Sequence, residues 1–134
     1  YRALKLDKMI LAGLEATLQI HLESRTSDLL VWRFLERTAE ECHHLALQLA
    51  DGVPHAQVKK SYSLVGGGAL PERRLPTWVV SIQSNSIEEL AKNLRVGSPS
   101  IMPRIQNDAV LLDVRTLKEL DIPLVQQRLQ ELLK

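Results

Sequence analysis

The sequence has a single cysteine, Cys42, which excludes a disulfide within these residues and fits a reducing compartment. Charge of one sign is also missing. Seventeen Lys and Arg face sixteen Asp and Glu for a net charge of +1, so the totals demand no nucleic acid, membrane surface or acidic substrate. No apolar run approaches the ~20 residues that cross a bilayer. The opening YRALKLDK is basic and amphipathic, without the apolar centre or small-residue cleavage site of a secretion signal. Internal repeats and low-complexity segments are absent as well. What remains is 134 residues, 45% hydrophobic and 25% charged, enough for one domain with its own core. The chain opens at Tyr1 without methionine and enters a helix-like pattern almost at once, so it is expected to be a piece of a longer protein.

Two long helices are expected first. Leu4, Leu11, Leu14, Leu18 and Leu22 form a stripe at helical spacing, so residues from about 6 to 22 should bury one face. A polar break, ESRTSD at 23–28, precedes a second stripe of Val31, Leu35, Thr38, Cys42, Leu45 and Leu49. Gly52 and Pro54 should end that helix. The texture then changes. Residues 57–65 and 77–83 carry β-branched and aromatic residues in partial alternation and read as strands. Ser86 and Glu89 have capping-box spacing for a short helix through about Arg95. Residues 101–106 and 109–114 flank a hairpin turn at Asn107-Asp108, with Pro103 confining its strand to an edge or marking a bulge. Asp121 and Pro123 open a last helix, whose Leu124, Leu129, Leu132 and Leu133 should dock on the sheet. The order α-α-β-β-α-β-β-α gives an α+β fold: two long helices, then a small, mostly antiparallel sheet with helices on one face.

The glycine run LVGGGALP at 64–71 raises the question of a phosphate cradle. Such a loop needs a helix N-terminus behind it, and here a charged turn and a strand follow instead. It is therefore read as a turn between strands that needs positive φ or close backbone approach. His43 and His44 are adjacent, about 100° apart on a helix, and cannot chelate together. Cys42 lies on the apolar stripe, and no metal site is assigned. Glu36, Glu40 and Glu41 fall on solvated helix faces, where they could pair with Arg33 and Arg37. Arg2 and Lys5, three apart, could hold an oxyanion if their turn is helical, or be solvated cations. Arg104 follows Pro103 on an edge strand and faces a cleft or water.

The opening YRALKLDKMILAGLEATL, taken with SYSLVGGGALPERRLPTWVV and IMPRIQNDAVLLDVRTL, resembles the bacterial selenocysteine synthases, the L-seryl-tRNA(Sec) selenium transferases. The resemblance runs through essentially the whole chain and is to the C-terminal part of those enzymes. It implies the fold-type-I scaffold that uses pyridoxal phosphate, with residues 1–25 a connecting helix from a large cofactor domain and 26–134 the small C-terminal domain. The family's cofactor draws electrons from the seryl α-carbon, water leaves, and selenophosphate then supplies selenium, giving selenocysteinyl-tRNA(Sec). The Schiff-base lysine lies upstream of the residues matching Tyr1–Lys8. Lys5, Lys8, Lys59 and Lys60 are thus not in its place, no catalytic residue is assigned here, and the fragment alone should be inert.

Arg2 matches the first of two family arginines implicated in holding selenophosphate. The second is Lys5 here, which keeps the charge and loses the bidentate geometry. Arg104 falls where fold-type-I enzymes often place an arginine for the substrate carboxyl group; in seryl-tRNA that carboxyl is esterified. The resemblance further implies a cytoplasmic homo-oligomer built from dimers, with transfer-RNA binding largely in a separate N-terminal domain. A fragment cut from it should expose apolar surface, worst on the first helix. Two alternatives stand beside this reading: a paralogous pyridoxal phosphate ammonia-lyase, slightly favoured by Lys5, and a stand-alone α+β binding or dimerisation module.

Overall fold

The computed structural model describes residues 5–66 and 73–133, which fall into two compact units divided between Glu36 and Arg37. In the first unit, helix α1 (Lys8–Leu22) starts at Asp7, whose Oδ1 accepts from the Met9 and Ile10 N–H groups at 2.8 and 2.9 Å. This is the usual N-cap arrangement, in which a carboxylate satisfies helix donors that have no carbonyl partner. A 3-10 turn (Thr26–Asp28) and helix α2 (Leu30–Glu36) follow. Arg25 binds both Glu23 and Asp28. The Trp32 indole donates to His21 Nε2 at 3.3 Å and meets the ring edge-to-face, joining α2 to α1.

The expected burial of the α1 stripe does not occur among the described residues: Leu11, Leu14 and Leu18 are 50–53% exposed, and no residue of α1 is buried. Periodicity established which side chains share a face, but a face is buried only where another element supplies contacts. This exposure of the first helix is what was expected of a fragment.

The second expected helix is also corrected. It is two helices, because Thr38 is extended (φ −71°, ψ 162°) and caps a new helix, α3 (Ala39–Ala50). Thr38 Oγ1 accepts from the Glu41 N–H at 3.1 Å, and Glu41 Oε2 accepts from the Thr38 N–H at 2.6 Å. Two otherwise orphaned donors are thereby satisfied reciprocally. Val31 stays exposed in the first unit, whereas Cys42, Leu45 and Leu49 enter the core of the second.

That core lies between one face of a sheet and three helices. Strands β1 (Ala56–Leu64), β2 (Arg74–Ile82), β3 (Arg104–Gln106) and β4 (Ala109–Asp113) form an antiparallel sheet in the order β1-β2-β4-β3. Helices α3, α4 (Ile87–Val96) and α5 (Ile122–Leu132) cover the face bearing Val80, Ile82, Val110 and Leu112. Leu49, Leu94 and Leu129 fill the layer between. Removing any of these down to the β-carbon would cost about 2–5 kcal/mol, since transfer and cavity terms add.

The turns follow the residues expected to make them. Gly52, just past the α3 cap, has φ +67°, and Asn107 and Asp108 both have φ +52°, as a two-residue hairpin requires. β3 starts directly after Pro103 and is an edge strand. β1 and β2 pair from Ala56↔Ile82 to Leu64↔Arg74, so the glycine run joins two hairpin strands. Gly66 has φ +118°, open only to glycine; Gly67 and Gly68 lie outside the described residues.

Two smaller expectations fail. Ser86 makes no side-chain cap bond to α4; its own N–H donates to Ser84 Oγ at 3.3 Å. On α5 the inward stripe is Ile122, Val125 and Leu129, with Leu132 and Leu133 partly buried against it, which turns Leu124 outward at 51% exposure.

Candidate functional site

On the sheet face away from the helices, alternation brings Ser63 of β1, Thr77, Val79 and Ser81 of β2, Leu111 and Asp113 of β4 and Arg104 of β3 to one side. The apolar members Val79, Ala109 and Leu111 form a small second cluster. Its polar end is organised by Asp113. The Asp113 Oδ1 accepts from Thr77 Oγ1 at 3.0 Å and from the Arg115 N–H at 3.1 Å. Oδ2 accepts from Ser63 Oγ at 2.7 Å and from Arg104 Nη2 at 3.2 Å. Every strand of the sheet has a residue in this cluster or beside it, so the strand register alone assembles it. Asp113 also borders a cavity of about 380 Å³ lined by Ile101, Met102, Leu112, Thr116 and Asp121 among others.

Arg104 runs from edge strand β3 to the opposite edge, where its Nη1 donates to the Tyr62 carbonyl of β1 at 3.3 Å. Its Nε is buried and has no hydrogen-bond partner among the described residues, while 40% of the side chain stays open to solvent. A guanidinium has five N–H donors, so this one retains donors for a ligand after binding Asp113 and Tyr62.

Behind the cluster the chain is held by two further arginines. Arg115, nearly fully buried, donates from Nη1 to the Arg37 carbonyl and from Nη2 to the Pro76 carbonyl, both at 2.6 Å. Arg37 Nη1 donates at 2.8 Å to the carbonyls of Val114, Arg115 and Leu117. Arg37 was expected on a solvated helix face beside Glu36, Glu40 and Glu41; those three are exposed, but Arg37 turns inward to main-chain oxygens. His43 stacks on Trp78 with ring centroids 4.0 Å apart, and Lys60 Nζ lies 5.5 Å from the same indole.

Of the residues read as sites from the sequence, Arg2 lies outside the described residues. Lys5 is exposed in the segment that precedes α1. Lys5 belongs to the first compact unit and Arg104 to the second. Sequence reasoning missed Asp113, Ser63, Thr77 and Arg115. One signal was available: in AVLLDVR an acidic residue closes an apolar strand, a position that favours burial only when it is paired.

The antiparallel sheet, with helices on one face and a carboxylate–guanidinium–hydroxyl cluster on the other, defines a small α+β domain in which Arg104 is the more exposed member of the Asp113 ion pair. Comparison with known proteins places it further. The family model described as L-seryl-tRNA selenium transferase matches residues 1–118. The chain is 37% identical, over 98% of its length, to the L-seryl-tRNA(Sec) selenium transferase of Aquifex aeolicus. It is 34% identical over 99% of its length to that of Clostridium botulinum, and 36% identical over 96% to that of Geotalea daltonii. The chain belongs to the L-seryl-tRNA selenium transferase family. It spans 31%, 31% and 30% of these three relatives.

Proposed function

We propose that these residues are the C-terminal region of a pyridoxal phosphate enzyme that converts L-seryl-tRNA(Sec) to selenocysteinyl-tRNA(Sec), with selenophosphate as the selenium donor. The observation that carries this reading is the family match through residues 1–118, with relatives named for that transfer. Residues 1–25 serve as the connecting helix from a large fold-type-I domain and residues 26–134 as the small C-terminal domain. The half-exposed leucines of α1 support this, since a helix bearing such a stripe is stable when a neighbouring surface covers it. The enzyme is a cytoplasmic homo-oligomer built from dimers.

The residues present do not fit a cofactor-anchoring role. A Schiff-base lysine is activated by desolvation, and every described lysine, from Lys5 to Lys118, is exposed. The chain's own contribution is therefore binding and orientation. Arg2 and Lys5 hold the anionic selenium donor, Arg2 through a planar fork and Lys5 as a point charge. Arg104 presents donors to the seryl end of the substrate.

Full-length protein supplied with seryl-tRNA(Sec) and selenophosphate should yield selenocysteinyl-tRNA(Sec), and the 134-residue chain alone should yield none. Arg2→Ala should raise the KM for selenophosphate. Absence of the selenium product with release of ammonia from an amino-sugar acid would replace this reading by the paralogous lyase. Unchanged kinetics would remove Arg2 from the site.

A further inference from the structure

We infer that Asp113 is a positioning residue that makes Arg104 a charge-compensated donor, selecting the uncharged carbonyl of an aminoacyl ester over the carboxylate of a free amino acid. The inference rests on the reading that Arg104 faces the amino-acid end of the substrate. Arg104 Nη2 and Asp113 Oδ2 are 3.2 Å apart, so the guanidinium meets a ligand with its charge already balanced. Donors nevertheless remain, because Nη1 and Nη2 each carry two N–H groups and each gives one of them to Tyr62 or Asp113.

Asp113 is not free to leave when a ligand arrives. Ser63 Oγ, Thr77 Oγ1 and the Arg115 N–H hold its two oxygens at 2.7, 3.0 and 3.1 Å, and only 19% of its side chain is exposed. A free carboxylate on Arg104 would therefore place a second anion beside a fixed one, and like charges sharing a site disfavour each other. An ester carbonyl accepts the same N–H groups without adding charge. Specificity arises here from repulsion of the wrong ligand as much as from attraction of the right one.

The test uses the full-length protein, with L-serine methyl ester and L-serine as probes in calorimetric titrations. The wild type should bind the ester about tenfold more tightly than free serine, and in Asp113→Asn free serine should gain about that factor while the ester changes little. Arg104→Gln should weaken the ester about tenfold. Equal binding of both probes by the wild type, binding of neither, or an unchanged ratio in folded Asp113→Asn would overturn the inference. Should Asp113→Asn fail to fold, the wild-type ratio and Arg104→Gln decide it. Selenocysteinyl-tRNA formation is scored separately in the same preparation. Product without ester preference sinks the role of Asp113 alone, whereas ester preference without product sinks the reaction assignment and leaves the ester specificity standing.

Discussion

Arg37 and Arg115 each donate to the other's main-chain carbonyl, Arg115 Nη1 to Arg37 O at 2.6 Å and Arg37 Nη1 to Arg115 O at 2.8 Å. The two residues are 78 positions apart, and the exchange fixes the chain just before the α3 cap against the turn that follows β4. It links that junction to the Asp113 cluster, because the Arg115 N–H is itself one of the Asp113 donors.

Arg115→Met should be among the more damaging single changes, at about 2–4 kcal/mol, since it leaves the Arg37 and Pro76 carbonyls without these charged donors. Arg37→Ala removes the donor to three carbonyls and should cost about 1–3 kcal/mol. Urea unfolding of both single variants and the double variant gives the coupling. A coupling of about 0.5 kcal/mol or more is expected for groups that share partners, and strict additivity would contradict the exchange.

The capping box at Thr38 carries a pH signature. Hydrogen bonds from the Thr38 N–H and, secondarily, its hydroxyl hold the Glu41 carboxyl below the usual glutamate range. A carboxyl whose folded value is depressed contributes stability above its unfolded value and loses it as pH falls through the folded one. Wild type should therefore exceed Glu41→Gln in thermal stability at neutral pH, and the gap should close as the solution is acidified past the ordinary glutamate range. Thr38→Ala, which removes the accepting hydroxyl, should cost about 1 kcal/mol at neutral pH. A gap that widens on acidification would refute the assignment.

Two glycines should respond to alanine with opposite sign. At Gly97, which ends α4, a β-carbon would stand 2.8 Å from Arg128 Nε and Nη2 and 2.9 Å from the Asn93 carbonyl oxygen. The arginine can swing aside but the carbonyl cannot, so Gly97→Ala should cost about 1–3 kcal/mol. Gly13 sits inside α1 with nothing within 4 Å of the same added atom. Gly13→Ala should stabilise that helix by about 0.5–1 kcal/mol through lower backbone entropy in the unfolded chain. Helicity by circular dichroism and the unfolding midpoint separate the two.

Much of the architecture was written locally. Asn107-Asp108, Gly52 and Pro103 each specify a backbone state that few other residues accept, and all three punctuate the chain where the sequence placed them. The strand pair around the glycine run follows from alternation with a turn between. Even the split between α2 and α3 was spelled in Thr38-Ala39-Glu40-Glu41, although a stripe of matching period ran straight across it. There two local codes competed, and the cap prevailed because its hydrogen bonds close within four residues.

The sequence by itself determined where the chain turns, which side chains share a face, and, through its similarity to the L-seryl-tRNA selenium transferases, which family it belongs to. Only the tertiary structure decided which of those faces is covered. The leucines of α1 have the period of a buried helix and are half exposed, while Thr77 and Ser81 are buried. It also decided that Ser63, Thr77, Arg104 and Asp113 meet at one carboxylate. Periodicity is a property of a segment and turns are made by neighbours, but coverage and the Ser63–Asp113 contact across 50 residues depend on strand register, which exists only once the sheet has formed.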